Sequence, residues 1–370
     1  MKSASLNSLQ LNLHSSAMLA DYVTAIAWSP LGKILAVSSA AGEVMFWRDL
    51  PGSSGEADWP LLPLQIADGQ SVDCLAFSQD GQFLAAGGQD GRVKIWRLQP
   101  NLDAYRCSPL YTLKNAATWV DKLAWSPTSN KLAFSLGRYI QVWDADTGEI
   151  AATLNFDASS VLGLDWRPDG QYLAVGGYQG VKIWNGQDWN DDPYVLDVPS
   201  ASLALAWSPD GKYLASGNMD RTIAVLEWHS PHPWVMRGFP GKIRQLAWSE
   251  AKTGQDAPLL ASSSAEGIVV WEKQADESLG WEGRVLQRHA GAMSAIAFQP
   301  GSFLLASAAV DGQVCLWQKA KRLAQVLHGA TDGFSCLAWH PLGQQLAAGG
   351  QQGELLIWIK VMRGQGFGRR

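Results

Sequence analysis

The chain has 370 residues, 34 acidic and 29 basic side chains, and a net charge of −5 with the two signs interspersed. That balance offers no broad basic surface for neutralising phosphates and argues against a nucleic-acid partner. No apolar stretch approaches membrane-spanning length and the first residues lack the unbroken apolar run of a secretory signal, so no membrane insertion and a reducing, cytoplasmic setting are expected.

The first element is "SLQLNLHS", where Leu9, Leu11 and Leu13 alternate with Gln10, Asn12 and His14. Period-2 alternation predicts a half-buried strand over residues 8–14, ahead of everything that repeats. From about Tyr22 onward, one unit recurs eight times. An apolar run ends in Trp28, Phe77, Trp125, Trp166, Trp207, Trp248, Phe298 or Trp339, and a second ends in Trp47, Trp96, Trp143, Trp184, Leu226, Trp271, Trp317 or Trp358. Leu226 alone breaks the second series. A repeat of this kind decides the architecture before any residue chemistry is read.

Within a unit such as "LALAWSPDGKYLASG" (203–217), a short apolar strand runs into a Pro-Asp-Gly turn and then a second strand. Another turn ("GQDGR", "NMDRT") leads to a third strand rich in β-branched residues ("VKIW", "VCLW"), and a looser link leads to a fourth, more amphipathic run ("PLYTLK", "PWVMRG"). One four-stranded antiparallel sheet cannot bury two apolar faces alone; stacked against copies of itself around an axis it can. Length would suggest two domains, but the repeat predicts one closed ring over residues 1–362 with a basic tail, 363–370. The eighth unit ends at Trp358 without a fourth strand, so residues 8–14 are expected to supply it and close the circle.

These units resemble the WD-repeat (WD40) family of β-propellers. The resemblance rests on the strand ending in an aromatic, the Ser-Pro-Asp-Gly turn, Leu-Ala-Ser-Gly, an Asp turn and the terminal Trp, and covers about residues 21–358. The best match is "HAGAMSAIAFQPGSFLLASAAVDGQVCLW" (289–317); most units lack the family's His, and only Trp143-Asp144 keeps the name-giving dipeptide. The implied fold is all-β: a single eight-bladed propeller of four-stranded antiparallel blades closed by an N-terminal strand. The resemblance also implies that His289, Ser307 and Asp311 form, with Trp317, a structural hydrogen-bonded network and not a hydrolytic triad.

Three further patterns are weighed against chemistry. "WDADTGEIAATL" (143–154) is similar to a docking motif of eight-bladed quinoproteins but occurs once, and Asp-x-x-Thr-Gly is also a good turn. His229 and His232 in "HSPH" are a close pair, short of the ligand number a metal site needs. Cys74, Cys107, Cys315 and Cys336 show no metal or redox spacing, and three of them lie in predicted strands. No cofactor, metal or catalytic residue is therefore expected. Six tryptophans, Trp59, Trp119, Trp189, Trp228, Trp234 and Trp281, fall outside the repeat template.

The expected function is a non-catalytic scaffold, a monomeric ring within a complex, binding one or more proteins. The loops leading into the inner strands and those joining second to third strands share one face. They carry Trp119, Arg138, Tyr178, Met219, Arg221, Phe239, Lys242 and Phe334, of the aromatic and Arg-rich composition that interfaces use. The alternative is a propeller that binds a cofactor or a metal, as a quinoprotein-like enzyme or through the histidines.

Overall fold

The computed structural model describes residues 10–48, 61–98, 108–115, 118–156, 159–178, 180–198, 200–265 and 267–360. All regular structure in these residues is β, arranged as eight four-stranded antiparallel sheets. Each sheet is one blade, in which consecutive strands pair from the inner strand outward. Blade 1 is Val23–Trp28, Leu35–Ser39, Val44–Trp47 and Leu62–Gln65, and blade 7 is Met293–Phe298, Leu305–Ala309, Gln313–Gln318 and Arg322–His328. The inner strand of each blade packs against that of the next, and blade 8 packs against blade 1, so the ring is closed.

Closure is made by the N-terminal segment, over a strand that shares residues 11–14 with the alternating stretch and runs on beyond it. The strand is Leu11–Met18, paired antiparallel with Glu354–Lys360 of blade 8. Residue 8 and residue 9 lie outside the described residues, as does the tail 363–370. The register slips between Leu13 and Ser15, so the strict alternation is broken there. Leu11 is buried but Leu13 is 55% exposed, and Ser15 takes the next inward place, accepting a hydrogen bond from the Trp47 indole of blade 1. A bulge thus reaims the strand, and the hydrophobic alternation was only half right.

The blade-to-blade contact explains the repeated letters. Second strands end in small residues because the next blade's inner strand lies directly against them. A Cβ on Gly349 would sit 2.4 Å from Val23 Cγ1 across the closing seam, and one on Gly217 would sit 2.7 Å from Ile243 Cγ2. The first-strand tryptophans are stitches between blades. The indoles of Trp28, Trp125, Trp166, Trp248 and Trp339 donate to the carbonyls of Ala338, Ala76, Ala124, Ala206 and Ala297, each on the preceding blade, at 2.9–3.3 Å.

A second set of bonds runs the other way near the opposite end of the inner strands. There the pairing is bulged in blades 1, 7 and 8, and the bulged hydroxyls of Thr24, Ser294 and Ser335 donate to the carbonyls of Val72, Phe334 and Val23 on the following blade. Both sets cross the seam between blades 8 and 1, so that seam is bonded like the others.

Trp207 is the exception among the first-strand tryptophans. Its indole nitrogen is buried without a partner, and the blade 4–5 seam is held instead by the Trp207 backbone N–H donating to the Asp165 carboxylate at 2.7 Å. Burial raises Asp165 to about 7, against two backbone N–H bonds that lower it. Arg167 lies over Tyr172, Trp207 and Trp228 at 5.4–5.8 Å from the ring centres and supplies a cation–π contact at the same seam.

Candidate partner-binding face

In blade 7 the His289 imidazole bonds through Nδ1 to Asp311 at 3.0 Å and through Nε2 to the Ser307 hydroxyl at 2.9 Å. The Trp317 indole donates to the same hydroxyl at 2.9 Å, and Asp311 also accepts the backbone N–H groups of Ala290 and Gln313. Burial holds His289 below its ordinary pKa against the opposing pull of Asp311. A neutral ring with Nδ1–H toward Asp311 leaves Nε2 to accept from Ser307. Ser307 has no exposed surface, so its hydroxyl is closed to an acyl substrate.

Other blades reach the same end with different residues. In blade 2, which has no such His, Lys94 lies 3.2 Å from the turn carboxylate Asp90 and 3.8 Å from Asp68 on the incoming loop, tying the two together. In blade 5, where Leu226 replaces the third-strand Trp, Ser202, Ser216 and Asn218 form a buried hydroxyl–amide chain that continues to Thr222. Neither substitute carries a family letter, and neither was legible in the sequence.

The remaining chemical candidates resolve into turns and core. Asp144 caps the turn after Trp143 by accepting from the Asp146 N–H at 2.9 Å, and Gly148 takes φ +75°. His229 also has positive φ, in an exposed turn beside Trp228. Among the described residues, no group of three or more His, Cys, Asp or Glu side chains is placed to hold a metal ion. Burial pushes the Cys315 thiol up to about 12 and Cys336 to about 11, and Cys74 is raised further. Cys107 lies outside the described residues.

Of the tryptophans outside the template, Trp59 lies outside the described residues. Trp189, Trp228 and Trp281 pack edge-on against the inner-strand tryptophans of their own blades, Trp166, Trp207 and Trp248, with ring centres 5.3–5.9 Å apart. They close the ends of blades 4, 5 and 6. Trp234 lies half-buried against Gly280. Trp119 differs: it is 55% exposed, next to the fully buried Val120 that anchors its loop.

The antiparallel order puts the loops entering the inner strands and the turns between second and third strands at one end of every blade, here called the upper face. Exposed on it are Trp119 and Arg138 at blade 3, Tyr178 at blade 4, Met219 and Arg221 at blade 5, and Lys242 entering blade 6. Tyr178 is 54% exposed and Met219 48%. Hydrogen bonds fasten these turns to the neighbouring loops: Tyr178 N–H to Ser159, Asp220 N–H to Ser200, Met219 N–H to the Ala201 carbonyl. Two members of the expected set are corrected. Phe239 is 6% exposed and packs on Trp271, and Phe334 is fully buried against Trp358; both are core side chains with too little surface to be contact residues. Each begins or precedes an inner strand and packs on the third-strand Trp of the blade that this strand opens.

Toward the axis this face opens into the central channel. A cavity of about 340 Å³ is walled by inner-strand residues of blades 3–7, chiefly Leu162, Leu164, Leu203, Leu205 and Leu246, with Lys122, Arg244 and Gln245 among them.

Fold and repeat together define an eight-bladed β-propeller of the WD type. The family model "WD domain, G-beta repeat" matches residues 9–48, 62–97, 148–185, 195–226, 280–318 and 321–358, more than half of the chain, and the chain belongs to that family. The first three strands of blades 3 and 6 lie outside those matches yet have the same fold. Among solved structures the chain is similar to Sqt1 from Chaetomium thermophilum, at 18% identity over 96% of this chain and 100% of that one, with a TM-score of 0.79. It is equally similar to the same protein bound to the N-terminus of the ribosomal protein L10 (18% identity, 95% and 100% coverage, TM-score 0.78). At that identity the likeness is one of fold.

Proposed function

We propose that this propeller is a non-catalytic scaffold that binds another protein through the upper face of blades 3–6. The observation that carries the reading is the run of Trp119, Tyr178 and Met219, all about half exposed, interleaved with Arg138, Arg221 and Lys242 on consecutive sectors of one rigid face. Large apolar side chains beside Arg, presented by loops pinned to a fixed frame, are the composition and rigidity that hot spots use. The lower ends of blades 4–6, by contrast, spend their extra tryptophans on covering the blades' own inner aromatics. That the similar propeller Sqt1 has been crystallised with the N-terminus of a ribosomal protein supports a peptide-binding use of such a ring. A reducing compartment such as the cytoplasm suits the free thiols.

The test is co-purification from the native source with wild type, Trp119→Ala, Tyr178→Ala and Arg221→Glu, each first shown to melt like wild type. The reading expects one or more proteins retained by wild type to be lost with these variants. An unchanged set of partners across all three would mean that the upper face is the wrong one.

A further inference from the structure

Resting on the reading of the upper face as the docking face, we infer the chemistry of what docks there: an extended protein segment rich in acidic side chains, with a carboxylate held at the channel cavity by Lys122 and Arg244. Both side chains are exposed and both line the leucine-walled cavity, which has no acidic residue in its wall. Among the described residues Arg244 makes no ion pair. Lys122 lies within electrostatic reach of Asp73 on blade 2, so Arg244 carries the larger uncompensated charge.

The charge continues outward. Arg138, Arg221, Arg237, Lys242 and Arg288 are exposed on the rim of blades 3–7, where the described acids are Asp121, Asp197, Asp220 and the His289-paired Asp311. The other half of the same face, blades 8, 1 and 2, exposes Asp21, Asp68 and Asp332 together with the blade 2 pair Arg92 and Lys114. In a chain of net charge −5, blades 3–7 of this face thus present more described cations than acids, around a cavity. Complementary potential of this kind steers an anionic partner and fixes its orientation. The leucine wall favours a peptide over a nucleic acid, since it offers partly exposed aliphatic surface to aliphatic side chains and no base a stacking partner inside the cavity.

The experiment measures binding of the purified full chain to a fluorescein-labelled dodecapeptide of alternating Glu and Leu, to its Lys–Leu counterpart, and to a uridine dodecamer, by fluorescence anisotropy. Variants are Arg244→Gln, Arg244→Glu, Lys122→Glu and, as a control on the outer strand of blade 7, Arg322→Glu; melting curves check their folding. The expected result is binding of the Glu–Leu peptide that weakens about tenfold or more in the Arg244 variants, less with Lys122→Glu, and not with Arg322→Glu. Equal or tighter binding of the Lys–Leu peptide or the oligonucleotide, or Glu–Leu binding indifferent to Arg244, would overturn the inference. If Trp119→Ala and Arg221→Glu abolish partner capture while the Glu–Leu peptide does not bind, the acidic class is wrong and the docking face stands. If the peptide binds through Arg244 while capture ignores those variants, the channel site stands and the docking reading falls.

Discussion

Trp125 and Phe77 hold the same template position, but only Trp125 has an indole N–H. Trp125 donates it across the seam to Ala76, whereas Phe77 has nothing to give. Trp125→Phe removes this inter-blade bond and leaves part of the buried indole's volume empty, so it should cost about 2 kcal/mol or more, read as a lower urea midpoint with an unchanged slope; no change would mean that neither the bond nor the indole's extra volume holds the seam. Asp165 makes a different residue-scale case, because its folded pKa, about 7, lies above the ordinary carboxylate value. The folded state therefore holds a proton that the unfolded chain releases, and stability from this group is full below about pH 4 and lost as pH rises through 7. Asp165→Asn keeps an acceptor for the Trp207 N–H without the titration. The melting temperature of the variant relative to wild type should rise between pH 4.5 and 7.5, then level off; a flat or falling difference would remove Asp165 from the pH response. His289 and His340, both lowered by burial, act in the opposite sense, with their contribution lost as pH falls below about 6.5.

At the scale of the element, the N-terminal strand matters because it is far in sequence from the blade it completes. Leu11–Met18 pairs with Glu354–Lys360, and Gln325 of blade 7 brackets Leu11 by bonding both its N–H and its carbonyl. Deleting residues 1–18 strips a whole ladder, uncovers the side chains behind Leu11, and leaves Glu354–Lys360 as a bare edge open to self-association. The truncated protein should melt many degrees lower and show concentration-dependent aggregation by light scattering. A monodisperse product with wild-type melting would show that the ring closes without this strand. The bulge at residue 14 explains why the sequence marked the strand but not its extent: alternation predicts which side chains point inward only while the register holds.

For the whole molecule, stability is a circle of seams, and these seams differ. Those preceding blades 1, 3, 4, 6 and 8 carry an indole bond, while blades 2 and 7 have Phe and blade 5 has the Asp165 substitute. Outer strands are the weakest layer, and in blades 4 and 5 they are the short Tyr194–Leu196 and Trp234–Met236, with Val195 and Val235 exposed. Hydrogen exchange should proceed first in these two outer strands and last in the fully buried second strands such as Phe83–Gly88 and Tyr213–Asn218. Equal protection of outer and second strands would contradict a ring whose strength lies near its axis. The cationic lining of the cavity likewise belongs to the molecule as a whole, since Lys122 and Arg244 are far apart in the chain and come to one cavity only when the ring closes.

The sequence by itself determined the blade count, the four-strand unit and the need for an extra strand, because a repeat whose apolar runs alternate with turn residues can bury both faces only by stacking on itself. It marked Trp119, Arg138, Tyr178, Met219, Arg221 and Lys242 as loop residues and left them exposed. Only the tertiary structure decided which other loop aromatics were free: Phe239 and Phe334 read like contact residues, but they are buried against the third-strand Trp271 and Trp358 of the blades they open. The same holds for Lys94 between Asp68 and Asp90, for the orphaned Trp207 indole, and for the cationic channel wall. Each depends on which strand, loop or blade comes to lie beside it, and local pattern carries no information about partners that the chain meets only on folding.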